Sequence, residues 1–155
     1  KNKKYYQLLT MTTAGVFIIS WIWMVIYKIN NTFMFRINRM LSGRIEITNN
    51  YYKAYGMTLF PKTVNIFWDM NYTTIDNLYM YFCISCGALF TILFVYWASR
   101  SQWKMYSNGY YREIIFFTIF AVYAVLEQSP MNPILNPFIL FTANLVYKNY
   151  TVRER

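Results

Sequence analysis

The sequence predicts an all-α fold: a polytopic integral membrane protein of about four transmembrane helices, with a long extracytoplasmic loop that contains short helices. Three observations predict it. The chain is 57% apolar and 22% aromatic but only 14% charged, more apolar surface than a soluble domain of 155 residues could bury. Two runs, residues 7–27 and 77–98, carry no charge, and each reaches the ~20 residues that a membrane-crossing helix needs. Between Ile114 and Tyr147 only Glu127 is charged, although three prolines interrupt that stretch.

The first run, 7–27, carries Ile18, Trp21 and Trp23. It exceeds the ~7–15 residues of a signal-peptide core, and no small-residue cleavage site follows it. The second run, 77–98, contains Cys83 and Cys86. With no histidine and no second cysteine pair, these read as packing residues on one helix face, and no metal site is predicted. A third span covers about 113–129, with Glu127 in its last turn. Pro130, Pro133 and Pro137 with Asn132 and Asn136 then make a turn into a short fourth helix, about 134–147. One span plus a re-entrant element is the alternative; the basic tail favours four.

Lys1, Lys3 and Lys4, then Arg100, Lys104 and Arg112, then Lys148, Arg153 and Arg155 fall in three short segments. These hold nine of the fifteen Lys and Arg, so both termini are predicted cytoplasmic and the loop of residues 28–76 extracytoplasmic. The formal charge of +9 then marks cytoplasmic loops, not a nucleic-acid surface. Residues 1–155 read as a single membrane domain, and the start at Lys1 fits a fragment of a longer polytopic protein.

Within the outer loop, Phe33, Met34, Ile37, Met40 and Leu41 recur at helical spacing, while Arg36, Asn38 and Arg39 take the other face. That pattern predicts an interfacial helix, with Ser42-Gly43 as its stop. A second short helix is expected from Asn50 as N-cap to Gly56 as terminator, and residues 61–74 as irregular chain with Phe67 and Trp68 as anchors.

Arginine stays charged and offers a planar fork of donors that suits paired phosphate oxygens. Arg36 and Arg39 lie on one side of a helix, and Arg44 follows the flexible Ser42-Gly43 joint. Spacing leaves two readings open, a clamp for a lipid-borne diphosphate and plain anchoring to anionic headgroups. Glu46, Asp69, Asp76 and Glu127 are the acids predicted on the outer side. Glycosyl transfer needs a carboxylate to take the proton of the attacking hydroxyl, and Asp76 and Glu127 are the candidates. Asp76 also suits a simple helix cap beside Asn77, whereas an acid ending a hydrophobic helix, as Glu127 does, is usually functional or paired. Tyr55 and Tyr79 are candidates for stacking on sugar rings, although aromatics near an interface more often form the belt.

Asn38-Arg39-Met40-Leu41-Ser42-Gly43-Arg44 resembles the Leu-Ser-Gly-Arg element in the outer loop of Wzy-type polysaccharide polymerases of capsule, exopolysaccharide and O-antigen assembly. The likeness continues through Tyr55-Gly56-Met57-Thr58-Leu59-Phe60, then Asp76-Asn77-Leu78-Tyr79, then Glu127 with Asn136-Pro137, in order over about residues 8–147. Pro61 departs from the glycine or glutamine of the family pattern. The resemblance implies a membrane glycosyltransferase in the bacterial cytoplasmic membrane, of which this chain is a portion inactive by itself. The portion implied is the C-terminal one, with the outer loop and last helices; the whole enzyme moves a growing glycan from its undecaprenyl diphosphate carrier onto a new lipid-linked repeat at the outer face. It implies Arg44, with Arg39 and Arg36, as diphosphate-binding residues and Asp76 or Glu127 as base or arginine partner. No cofactor is implied; the partners are the lipid-linked glycan, membrane lipids, and the flippase and chain-length regulator of the pathway. A segment of a lipid-linked oligosaccharide flippase is the alternative.

Overall fold

The computed structural model describes residues 3–28, 31–64 and 75–127, and these are helical with irregular connections. The predicted fourth helix, the Pro-Asn turn, Phe67, Trp68 and Asp69 lie outside the described residues. Seven helices follow in order: α1 (Lys3–Leu9), α2 (Thr12–Ile26), α3 (Thr32–Met40), α4 (Arg44–Tyr55), α5 (Leu78–Tyr81), α6 (Ala88–Ser107) and α7 (Tyr111–Tyr123). A wide π-turn, Phe82–Cys86, continues α5 towards α6.

The first apolar run is two helices, not one. Thr10 turns its hydroxyl back onto the Gln7 carbonyl at 2.7 Å, and the backbone tightens through Thr10 and Met11. The Leu9 carbonyl accepts from Gln102 Nε2 on α6 at 3.3 Å, and Gln102 Oε1 accepts from Thr13 at 2.8 Å. A buried amide thus occupies the polar groups at the break, as burial requires. The second run is also divided. Gly87 has φ 88° between the π-turn and α6, and α6 then continues past Ala98 to Ser107. The third predicted span ends earlier than expected, with α7 finishing at Tyr123 and Glu127 in the turn that follows. Among the described residues no helix is long and apolar enough to cross a membrane: α2 has 15 residues, and the 20 of α6 include Arg100 and Lys104.

Asn31 caps α3 by accepting from the N–H groups of Phe33 and Met34. Its buried face is Met34 with Asn38, while Phe33 and Met40 are exposed, so Asn38 belongs to the packed side and not to the arginine side. The stop at Ser42-Gly43 is present, with φ 55° and 80°, and the Gly43 N–H returns to the Asn38 carbonyl at 2.8 Å. Helix α4 begins at once at Arg44, not at Asn50, and ends at Gly56 as expected. Its early start has a tertiary cause: Asn38 Oδ1 accepts the Glu46 N–H at 3.1 Å, supplying a cap from the preceding helix.

The main core gathers Met24, Tyr51, Leu78, Tyr79, Ile84 and Val95 around α5 and the π-turn. Cys83 is buried in this core and Cys86 packs against it, both as free thiols. Many outward positions are apolar as well, and several polar side chains are buried. Ile18, Ile22 and Ile26 on α2, Ile92 and Leu93 on α6, and Phe116 and Ile119 on α7 face outward. Thr13, Ser20, Asn49, Thr91, Ser101 and Gln102 face inward.

Candidate functional site

Three residues far apart in sequence meet at one end of the bundle. The left-handed Gly43 swings the chain so that Arg44 opens α4. Arg44 Nε lies 3.7 Å from Asp76 Oδ2, and Arg44 Nη2 lies 3.3 Å from Glu127 Oε1. Asp76 reaches it because Asn77, not Asp76, caps α5: Asn77 Oδ1 accepts the Met80 N–H at 3.2 Å. Glu127 reaches it because the turn after α7 is tied to the start of α5, the Leu78 N–H donating to the Ala124 carbonyl at 2.8 Å.

Both distances exceed the ~2.7–2.9 Å of a tight charge-assisted bond. The side chains of Arg44, Asp76 and Glu127 are 25%, 30% and 38% exposed, so the pairing is loose and reachable from outside. One guanidinium against two carboxylates leaves an excess of negative charge. Arg44 Nη1 is buried and makes no hydrogen bond among the described residues. The arrangement can hold an anion only by sharing the arginine with, or taking it from, its carboxylates. A carboxylate turned away from the arginine can accept a proton.

The remaining predicted site residues are elsewhere or differently employed. Arg36 and Arg39 are exposed on α3, with Arg39 lying 6.0 Å over the Phe35 ring, and neither takes part in an ion pair among the described residues. Tyr55 stacks near Tyr51 and carries the Lys62 ammonium 5.7 Å over its ring, while that ammonium also donates to the Tyr55 carbonyl at the end of α4. Tyr79 cannot stack on a sugar. It is 1% exposed, and its hydroxyl donates to the Ala121 carbonyl at 2.8 Å, so it is a core tie between α5 and α7.

Glu46 is engaged away from the cluster. Its carboxylate accepts from Asn38 Nδ2 at 3.0 Å and from the Tyr27 hydroxyl at 3.4 Å. Asn38 therefore joins α2, α3 and α4 just before Arg44, a role that residue type alone did not reveal. Replacing it leaves the Glu46 N–H and carboxylate short of partners. Asn38→Ala should lower stability by about 1–3 kcal/mol, seen as a drop in thermal midpoint of the purified protein in detergent. An unchanged midpoint would show that the network carries no net stability.

Ser20 was also missed. It is 4% exposed beside Trp23 and Met24, and its hydroxyl has no partner among the described residues. A single hydroxyl between Ile19 and Trp21 in an uncharged run was the available signal.

No protein-family model, curated protein or solved structure matches this chain. Its functional reading rests on its own residues.

Proposed function

We propose that this chain forms part of a membrane polymerase for surface polysaccharide, acting on oligosaccharide repeats carried by undecaprenyl diphosphate. The observation that carries the reading is the convergence of Arg44, Asp76 and Glu127, one from each of three separate elements of the polymerase-like pattern. In this reading Arg44 binds the diphosphate of the donor and neutralises charge as it leaves. The acceptor hydroxyl forms a new C–O bond to the anomeric carbon while the bond from that carbon to the diphosphate breaks. The carrier departs as lipid diphosphate, and the hydroxyl proton passes to Asp76 or Glu127. The outward apolar faces of α2, α6 and α7 support a bilayer setting, because hydrocarbon is the environment in which such faces carry no cost.

The decisive experiment is Arg44→Ala in the complete protein in its native cell. Long polymer should be lost while single repeats still reach the surface. Normal polymer length in that strain would sink the proposal. Repeats accumulating on the inner leaflet instead would assign the arginine to a flippase.

A further inference from the structure

We propose that α1, the last turns of α6 and the first turn of α7 form a docking surface for anionic phospholipid headgroups. None of the residues assigned to diphosphate or proton transfer belongs to it, and only the bilayer setting is shared with that role. Helix α1, separated from α2 by the break at Thr10 and Met11, packs on α6 and α7. Aromatic rings tie the three helices together there. Tyr6 of α1 lies 4.5 Å from Tyr111 of α7, Tyr111 lies 6.3 Å from Tyr106 of α6, and Tyr106 lies 5.7 Å from Trp103. Tyr5, Trp103 and Tyr110 are exposed beside them. Such rings, apolar in body and polar at the tip, favour the headgroup level of a membrane.

The same segments carry four cations, Lys4 on α1, Arg100 and Lys104 on α6, and Arg112 on α7. Lys4, Arg100 and Arg112 are exposed and Lys104 is half-buried. None of the four takes part in an ion pair among the described residues. Glu113 is the only acid in the sequences of these three helices. Left uncovered, the arrangement is unfavourable. Arg100 and Lys104 are four residues apart on α6, so two like charges share one face. Arg112 stands in the first turn of α7, where the helix dipole disfavours a cation. Arg44 meets two carboxylates of its own chain. These four await anions from outside.

The flanks of this end select a lipid surface over other polyanions. Leu8 on α1 is 68% exposed, and Ile115, Phe116 and Ile119 on α7 are exposed from about one turn beyond Arg112. A nucleic acid or an acidic protein would neutralise the cations and leave that apolar flank in water. A bilayer meets both demands. Hydrocarbon covers the flank, and phosphate oxygens lie one headgroup layer further along, level with the cations. The headgroup must also carry net negative charge. Phosphatidylglycerol does, whereas the ammonium of phosphatidylcholine cancels its phosphate and opposes the arginines.

The test uses the complete protein in nonionic detergent at low salt, mixed with equal amounts of phosphatidylglycerol and phosphatidylcholine of the same acyl chains. Lipid retained after gel filtration is counted by mass spectrometry. Phosphatidylglycerol should be preferred about tenfold, and Arg100→Gln and Arg112→Gln should each lower that preference about fivefold. Both positions are exposed, so the fold tolerates the change. Lys53→Gln, an exposed position on α4, removes the same charge and should leave the preference unaltered. Equal retention of the two lipids overturns the proposal. An equal drop in Lys53→Gln also overturns it, because net charge and not this surface would then set the preference. Displacement of phosphatidylglycerol by a short single-stranded RNA overturns it in favour of nucleic acid. Each outcome is read on lipid alone, so it stands or falls separately from polymer length in Arg44→Ala cells.

Discussion

Gly87→Ala should destabilise the protein by about 3–5 kcal/mol, more than alanine at any of the other four glycines. The backbone there has φ 88° and ψ 158°, a region that is essentially confined to glycine. An added Cβ would lie 2.6 Å from the Leu59 carbonyl oxygen and 2.7 Å from the Phe60 carbonyl carbon. These are backbone atoms, which cannot swing aside as a side chain can. They are also held in place: Ala88 N–H donates to the Thr58 carbonyl at 2.8 Å, Leu89 N–H to Leu59 at 3.3 Å, and Lys62 N–H to Ser85 at 3.1 Å. The segment 58–62 thereby satisfies the open N-terminus of α6, which has no side-chain cap. The variant must push that segment away and expose those donors. Thermal unfolding and limited proteolysis in detergent measure the effect, with cleavage expected first between Gly56 and Val64. A thermal midpoint equal to the parent's would mean that the loop does not close on α6.

If the chain acts as proposed, Glu127→Gln and Asp76→Asn should each tighten diphosphate binding, and one of them should nearly abolish turnover. In the structure both carboxylates lie near Arg44, at 3.3 and 3.7 Å, and on the proposed function they would compete with the diphosphate for it. An amide of the same shape removes one negative charge without removing the hydrogen-bonding group. The expected gain in affinity is about two- to fivefold, because these side chains are partly exposed and solvent screens them. The carboxylate that accepts the hydroxyl proton behaves differently in the chemical step: its amide variant should lose about 10²–10⁴ in turnover. The other should retain most of its rate. The signature is therefore a lower KM in both variants and a collapsed kcat in one. Weakened diphosphate binding in both would mean that the carboxylates only hold Arg44 in position. Arg44→Ala provides the contrast, since it should lose affinity.

Much of the local structure follows from residues next to one another. The left-handed pair Ser42-Gly43 ends α3, Gly56 ends α4, and an asparagine caps α5, each by a backbone or side-chain rule that acts within a few residues. The periodicity around Met34 and Ile37 was enough for a helix but not for its orientation. Asn38 reads as polar and falls with the arginines by spacing, yet it is buried, because Tyr27 and Glu46 satisfy its amide. The same amide explains why α4 starts at Arg44 without a capping side chain of its own.

The candidate site divides along the same line. Arg44, Asp76 and Glu127 each sit in a short recognisable context in a chain where charges are scarce, and the structure brings these three side chains together. Arg36, Arg39, Tyr55 and Tyr79 were suggested by residue type and proximity in sequence, and neither property says what else a side chain touches. Tyr79 is the clearest case. Its hydroxyl finds a carbonyl on α7, 42 residues away, which no local pattern encodes.

Composition and hydropathy by themselves determine an all-helical chain with apolar faces, since backbone groups among so many apolar residues must be satisfied locally and the helix does that within one segment. The order of residues marks several of the turns, because glycine and asparagine tolerate conformations that other residues resist. Tertiary structure alone decides that the long apolar runs are broken at Thr10 and Gly87, since the polar groups exposed there are met by Gln102 and by residues 58–62 from elsewhere in the chain. It alone decides that Arg44 faces two carboxylates and leaves a donor unmet beside Ser20. Charge pairing depends on distance in space, and here that distance is set by how α4, α5 and the end of α7 pack.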